Sequence, residues 1–514
     1  MTRKIRPYLF YDTTSSVCGE CLRPVEAKIL LRGERVYMDK WCPVHGIERV
    51  LVSDDVAYYR ACREVFLKPP EMPRRFNTEM KYGCPYDCGL CPDHMQHSCL
   101  TIVEINDHCN LQCPICYAES GPARTEHRSL DDVRRMLDVI VANEGEADVV
   151  QISGGEPTLH PAFFEIMAEA KARPIRHLMV NSNGIRIARD QAFVDRLARD
   201  FPKTEIYLQF DSLRPAALKT LRGADLTSVR RAALQRLNAA ALSTTLVVTL
   251  KKGVNDDEIG DIIRFAATQP CVRGVTLQPV QEAGRVDGYD RERDRLTVSE
   301  IRRRIAEQSG LFTLGDVVPV PCNPDTLAMA YALKIDGRLV PLTRYVDAAT
   351  LVAGERSTIV FENEPALRER IFALFATSHS PESQASCLSD LLCCLPRIEA
   401  PATLGYENVF RVLIVQFMDA HSLDIRALKK SCIHIAQPDG RLIPFESYNL
   451  FYRDRRAGLL ATIRDELSAS FRHRSGAAAI RSMPAVVMAS QRPASGHDAA
   501  INAGSATPAG ARST

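Results

Sequence analysis

The sequence predicts an α/β protein. Its centre is a partial (β/α)6 barrel of TIM type, with a Cys-rich metal-binding module before it and a mixed α+β cap after it. Three observations lead there. Short β-rich runs alternate with amphipathic helical stretches between residues 98 and 300, and such alternation builds parallel sheets, because each strand needs a crossover before the next can run the same way. Eleven of the 17 cysteines fall within the first 116 residues. The strand candidates also end in Gly, Asn, Gln and Asp, the kind of residue that a barrel displays at the carboxyl ends of its strands.

Taken in order, residues 1–97 show little helical periodicity and few apolar residues, so their folding is expected to lean on bound metal. Cys18, Cys21, Cys42 and His45 form a C-x2-C…C-x2-H pattern, suited to tetrahedral zinc or a mononuclear iron. Strand candidates of the barrel, residues 98–300, are Cys99–Asn106, Asp148–Ser153, His177–Asn181, Glu205–Asp211, Thr244–Lys251 and Gly274–Val280. Between the first two, Ser129 and Asp132 make a capping signal, and Val133, Met136, Leu137, Ile140 and Val141 share one helical face. Residues 301–474 read as the cap, with Val409–Met418 as an apolar helix of its core. Residues 475–514, rich in Ala, Ser, Gly and Pro, read as a disordered tail.

Composition sets bounds. The chain is 46% hydrophobic and 25% charged, with a formal charge of +2, which excludes binding of polyanions by bulk charge. The Arg-rich stretch Gly284–Ile305 interleaves acids with its arginines and reads as a solvated helix and loop, so no nucleic-acid partner is expected. There is no apolar run of roughly 18 residues and no apolar segment behind the charged start, so a cytoplasmic protein without a transmembrane segment is expected. A reducing compartment does not sustain a disulfide framework, which leaves metal as the destination for so many cysteines. Cys62 and Cys271 are expected in the core.

Two cysteine triplets share the spacing C-x3-C-x2-C: Cys84, Cys88, Cys91 and Cys109, Cys113, Cys116. Three thiolates so spaced can hold three irons of a [4Fe–4S] cube and leave the fourth for an outside ligand; a zinc site or buried structural thiols is the other reading of one triplet alone. The second triplet directly follows the first barrel strand. The second strand runs into Gly154, Gly155, Glu156 and Pro157, where the glycines permit close backbone approach and Glu156 offers a carboxylate. The third strand ends at Asn181 and Asn183, the fourth carries Gln209 and Asp211, and the sixth carries Gln278. Each segment is weak alone. Together they surround the open corner of the cube.

This ensemble resembles the radical S-adenosylmethionine (radical SAM) superfamily over residues 98–285. The resemblance implies that Cys109, Cys113 and Cys116 hold a [4Fe–4S] cluster whose fourth iron binds S-adenosylmethionine. It implies that the Gly154–Pro157 segment contacts the methionine amino group, and that Asn181 and Asn183 face the ribose. Gln209, Asp211 and Gln278 project into the same cavity. Where the superfamily usually has an aromatic residue before the third cysteine, this chain has Ile115. The wider text, including "GCPYDCGLCPDH" and "CIHIAQPDGRLIPFESYN", is similar to the radical SAM family that contains tetraether lipid synthase and the methyltransferase acting on 7,8-dihydro-6-hydroxymethylpterin. That likeness implies auxiliary [4Fe–4S] clusters, one on Cys84, Cys88 and Cys91 with Cys99 as a partner. Cys432 with Cys322, Cys387, Cys393 or Cys394 can hold a third, and ordinary buried cysteines are the other reading of these residues. Members often carry a cysteine after "IPF"; here Glu446 stands there.

The activity implied is reductive cleavage of S-adenosylmethionine to a 5′-deoxyadenosyl radical. That radical abstracts hydrogen from an unactivated C–H bond, leading to C–C bond formation or one-carbon transfer. The electron donor is expected to be a ferredoxin or flavodoxin. A lipid-chain substrate calls for an apolar tunnel and peripheral membrane contact; a pterin calls for a compact polar pocket. The competing readings are a peptide-modifying or cofactor-building radical enzyme and a non-catalytic iron–sulfur electron-transfer scaffold.

Overall fold

The computed structural model describes residues 6–66, 69, 71–335, 338–344, 408–453 and 456–475. Its Cys-rich start is a four-stranded antiparallel sheet of β1 (Leu9–Val17), β2 (Pro24–Arg32), β3 (Arg35–Cys42) and β4 (Gly46–Ser53), in that order. Period-two alternation carries it: Val36, Met38, Lys40 and Cys42 of β3 all turn inward. Val36 and Met38 pack with Ala27, Ile29 and Leu31 against Tyr59 of α1 (Val56–Glu64). The module therefore has an apolar core of its own, where metal-held loops are the reading from composition.

In chain order the remaining strands are β5 (Leu100–Glu104), β6 (Ile115–Cys116), β7 (Ala147–Ser153), β8 (Ile175–Ser182), β9 (Glu205–Gln209), β10 (Thr244–Leu250), β11 (Val272–Pro279), β12 (Arg285–Val286), β13 (Val318–Pro319), β14 (Leu327–Ile335), β15 (Arg338–Pro341), β16 (Val409–Val415), β17 (Ile433–Ala436) and β18 (Leu442–Pro444). The six anticipated strands, β5 and β7 to β11, run parallel in the order β11-β10-β9-β8-β7-β5. Every residue of β7 is buried, as befits a sheet covered on both faces. The crossovers are α2 (Leu130–Glu144), α3 (Phe163–Lys171), α4 (Ile185–Arg189), α5 (Gln191–Asp200), α6 (Pro215–Arg222), α7 (Thr227–Ala239) and α8 (Ile259–Thr268). Ser129 caps α2 by accepting from Asp132 N, and Val133, Met136, Leu137 and Ile140 are its buried face. Cys62 and Cys271 are buried in the core cluster beneath these helices.

The carboxyl-terminal segment extends this sheet at both edges. β16 lies parallel to β11, with Gly274 opposite Arg411, and β17 lies parallel to β5, with Leu100 opposite Ile433. β14 and β18 then add antiparallel strands outside them. Val409–Val415 is thus a strand and not the expected helix. Phe410, Val412 and Ile414 enter the core beneath the helices, while Val409, Leu413 and Val415 pack in the cluster on the other side. Both faces are apolar, and period two governs. The stretch Gly284–Ile305 also departs from the solvated reading. β12 pairs with β6, Arg295 Nη2 donates to Asp419 Oδ2 at 2.7 Å, and Arg302 Nε donates to Val317 O at 2.9 Å, both arginines being buried. Residues 345–407, with Cys387, Cys393 and Cys394, and the tail from 476 lie outside the described residues. Among those described, no helix is long and apolar enough to cross a membrane.

Candidate active site

One cavity of about 230 Å³ occupies the inside of the curled sheet, running from the carboxyl ends of the parallel strands to their amino ends. Cys109, Cys113 and Cys116 all border its upper end. Their loop is held by its surroundings: Cys109 N donates to Gly121 O at 3.3 Å, and Arg285 reaches across from β12 to donate to Cys113 O and to Ser120 O, the latter at 2.9 Å. Leu111 N donates to Cys109 Sγ at 3.4 Å, and Asn183 Nδ2 to Asn110 Oδ1 at 2.7 Å. Burial pushes the Cys109 thiol up to about 12 and raises Cys113 too, although Arg222 opposes the latter. Thiols gathered in such a place become thiolates only with a cation to hold, so the donor set fits an iron cluster. Ile115 also lines the cavity, packed with Leu221 and Val280.

The Gly154–Pro157 turn works differently from its sequence reading. A Cβ on Gly154 would run into the Asn106 carbonyl, and one on Gly155 into the His108 carbonyl. Gly155 N and Glu156 N donate to those two carbonyls, each at 2.8 Å. The glycines thus let one backbone lie on another, and both border the cavity. Glu156 offers no carboxylate there. Its Oε1 accepts from Thr158 Oγ1 at 2.6 Å and Ser182 Oγ at 2.9 Å, and its Oε2 from Asn183 N at 2.7 Å, tying the end of β7 to the end of β8. Burial raises its pKa, with these donors opposing. Pro157 opens a 3-10 turn and Asp211 is fully buried; neither is among the lining residues, whereas Asn181, Asn183, Gln209 and Gln278 are.

Asp211 acts from behind the wall. It pairs with Arg222, whose Nη2 also donates to Gln209 Oε1 at 3.0 Å and Thr249 Oγ1 at 2.8 Å. Gln209 Nε2 donates to Asn181 Oδ1 at 3.0 Å, and Asn181 Nδ2 to Ser153 Oγ at 3.2 Å. A polar belt therefore crosses β7 to β10 just below the cysteines. Arg230, also fully buried, donates to Asn183 O and faces Asp211 at 3.6 Å; burial lowers its pKa to about 10.

Below, the floor is an ion cluster that sequence reasoning missed. His177 Nε2 donates to Glu205 Oε2 at 2.8 Å, and Arg411 Nη2 to Glu205 Oε1 and Oε2 at 3.2 and 3.1 Å. Burial alone would raise Glu205, but Arg411 and His177 hold it well below the carboxylate range. His177, Glu205 and Arg411 all line the cavity. Arg411 comes from β16, outside the six anticipated strands, so only its lone charge within an apolar run could have signalled it.

Three further thiol groups lie elsewhere. Cys18 Sγ and Cys42 Sγ stand 3.5 and 3.6 Å from His45 Nδ1, and Cys21 Sγ stands 3.9 Å from Cys42 Sγ. A tetrahedral zinc ion has S···N edges of ~3.6 Å and S···S edges of ~3.8 Å by its bond lengths, so this set fits one ion. Cys84, Cys88 and Cys91 line a small pocket with His94, Lys429 and Pro444. Cys99 is not with them. It lies with Cys322 and Cys432, the three Sγ atoms within 4.8 Å of one another. The reason is register: Cys99 directly precedes β5 and Cys432 directly precedes β17, and those strands pair.

A family model described as the radical SAM superfamily matches residues 103–266, the stretch that builds the cysteine loop and the strands facing it. Residues 103–266 are a radical SAM domain. As in that superfamily, its cofactors are a [4Fe–4S] cluster and S-adenosylmethionine. A second model, the HMPTM N-terminal zinc ribbon domain, matches residues 10–54. Among curated relatives, a protein of Methanocaldococcus jannaschii named 7,8-dihydro-6-hydroxymethylpterin dimethyltransferase is 29% identical over 86% of this chain and 94% of its own length. A GTP 3′,8-cyclase of Clostridium botulinum is 25% identical over 45% of this chain and 69% of its own. Among solved structures, Streptococcus suis SuiB bound to S-adenosylmethionine aligns with a TM-score of 0.34 at 17% identity, over 40% of this chain and 46% of that one. The hydrogenase maturase HydG of Carboxydothermus hydrogenoformans aligns at 0.33 and 15%, over 41% and 50%.

Proposed function

We propose that this radical SAM enzyme transfers a one-carbon unit to a carbon of a small polar heterocycle of the pterin class, forming a C–C bond. The observation that carries the reading is the single cavity joining the three cysteines to the Glu205–His177–Arg411 floor. An alkyl chain on that floor would strip water from the part-exposed His177 and Arg411 and return no hydrogen bond; a ring with amide and amino edges returns several. The name of the Methanocaldococcus jannaschii relative supports the same class.

Bound in this cavity, the cluster and S-adenosylmethionine would supply one-electron cleavage of the sulfonium C–S bond and, through it, hydrogen-atom abstraction from substrate. The chain's own residues hold and aim. Cys109, Cys113 and Cys116 ligate, and Asn183 and Arg285 fix their loop. The backbone of Gly154 and Gly155 and the side chains of Asn181, Gln209 and Gln278 receive the nucleotide. Glu205, His177 and Arg411 orient the heterocycle, while Phe417, Met418 and Phe445 exclude water. Cys84, Cys88 and Cys91 hold a second cube, the ribbon set holds one zinc or iron ion, and a ferredoxin or flavodoxin delivers the electron.

The test is anoxic incubation of the reduced, reconstituted protein with 7,8-dihydro-6-hydroxymethylpterin and S-adenosylmethionine as radical source, with and without a methylene-folate-class carrier as one-carbon donor and with methyl-labelled S-adenosylmethionine to trace the other source, read by mass spectrometry. A methylated pterin is expected, lost on Arg411→Leu while 5′-deoxyadenosine still forms. Deoxyadenosine with unmodified pterin, together with alteration of an added lipid extract, would overturn the substrate class.

A further inference from the structure

Cys84, Cys88 and Cys91 line a pocket separate from the barrel cavity, shared with Asp93, His94 and Lys429. Its rim reaches solvent. Cys84 is half-buried, and the Lys429 and Asp93 side chains, paired at 2.6 Å, are 28 and 37% exposed. The loop ahead of Cys84 is fixed by Asp87, whose Oδ2 accepts from Lys81 N at 2.6 Å, from Tyr82 N and from Gly83 N at 2.8 Å. Lys81 and Tyr82 therefore hold a set position beside the first triplet.

Positive charge gathers on this loop. Lys81 Nζ lies 5.2 Å from the centre of the Tyr82 ring, and the Arg464 guanidinium, from the helix Ala457–Ser475, lies 5.5 Å from the same ring and 6.0 Å from that of Tyr452. Arg441 is 5.4 Å from the Tyr452 ring. Tyr452 Oη accepts from Cys88 N at 2.8 Å, which sets these cations around the cysteine loop. Asp93 and Asp439 pair with Lys429 and Arg441. Among the described residues no carboxylate pairs with Lys81 or Arg464. Two cations on one ring repel each other, and a partly solvated aromatic face offsets little of that. Carboxylates on a docked partner offset it directly.

We propose that this face docks a small acidic one-electron carrier of the ferredoxin or flavodoxin class, with Lys81 and Arg464 meeting its carboxylates and the Cys84 loop facing its redox group. The inference rests on Cys84, Cys88 and Cys91 holding the second cube, and it names where the electron enters. One electron leaves the carrier, reduces that cube and passes on to the cluster at Cys109, Cys113 and Cys116; no proton or group moves with it. The formal charge of the whole chain is only +2, which gives no field for a long polyanion. A local cluster of cations over a redox group selects a redox partner instead.

Two reductants separate docking from chemistry, because a flavodoxin hydroquinone must dock and dithionite need not. On the full chain, reconstituted without oxygen, flavodoxin binding is titrated over a range of salt, and 5′-deoxyadenosine is measured with each reductant. Lys81→Glu combined with Arg464→Glu is expected to weaken flavodoxin binding about tenfold or more and to flatten its salt dependence. The flavodoxin-driven yield falls with it, and the dithionite-driven yield stays at the wild-type level. Cys84→Ser is expected to keep flavodoxin binding and to slow reduction of the Cys109 cluster by flavodoxin, read by EPR. No pterin enters these measurements, so the docking face stands or falls apart from the substrate class. Equal flavodoxin binding by wild type and the double variant would overturn the proposal, and so would a matching loss of yield with dithionite. Duplex DNA bound as tightly as flavodoxin, and released by the same two substitutions, would overturn the choice of partner.

Discussion

Glu156 shows how burial decides what a motif residue does. Its carboxylate is buried behind the cavity wall and taken up by Thr158, Ser182 and the Asn183 backbone. The side chain is a strut between two strand ends, and Asn183, which it fixes, reaches the cysteine loop. Glu156→Ala is expected to cost about 1–3 kcal/mol by leaving those donors unpaired, measured as a shift of the denaturation midpoint. It should also weaken S-adenosylmethionine binding by titration. Gly155→Ala should cost more than a helix-surface change of equal size, because its Cβ meets the His108 carbonyl, which cannot rotate away. The position of this turn was legible from its place after a strand. The direction of the carboxylate was not, since that depends on hydroxyls one strand away.

At the scale of elements, β16 carries both a core and a cavity wall. Phe410 is fully buried beneath the helices, and Arg411, its neighbour, lines the cavity. Phe410→Ala should cost about 3–5 kcal/mol, as truncations of buried aromatics do, while Arg411→Leu should leave the strand in place and alter the floor; paired denaturation and substrate-turnover measurements separate the two. The six barrel strands were legible to within a few residues because each is a short β-rich run followed by an amphipathic helix. A seven-residue apolar run such as Val409–Val415 carries no such context. Buried on both faces, it has the composition of a core helix, and only its β-branched valines and isoleucine lean toward a strand. The strands of the amino-terminal sheet were hidden for the opposite reason, since charged residues occupy their outer faces.

At the scale of the whole molecule, the ribbon module is locked to the barrel by His421. Its Nδ1 meets Glu48 of β4, its Nε2 lies 3.3 Å from Glu282 beyond β11, and Lys40 Nζ adds bonds to Val17 O and Ala420 O, each at 3.0 Å. Burial disfavours the charged imidazole, but the hydrogen bonds to Glu282 and Glu48 outweigh it and raise His421 to about 9. An unfolded histidine titrates near 6.5. The stabilisation is therefore complete below about pH 6.5 and disappears as pH rises through about 9. The gap in denaturation midpoint between wild type and His421→Gln should shrink over that window; a gap independent of pH would show the clasp to be steric. None of this was legible in the sequence, because His421 and Ala420 lie more than 370 residues from Glu48 and Lys40 and meet them only when the chain returns to both edges of one sheet.

The account rests on the cavity above that sheet being a radical site. The most direct measurement is the yield of 5′-deoxyadenosine from S-adenosylmethionine under strong reductant, in anoxic wild type and in Cys113→Ala with its other iron and sulfide retained. The account predicts product from wild type and none from the variant. Equal yields from the two, or none from a wild type with its full complement of iron and sulfide, would contradict it.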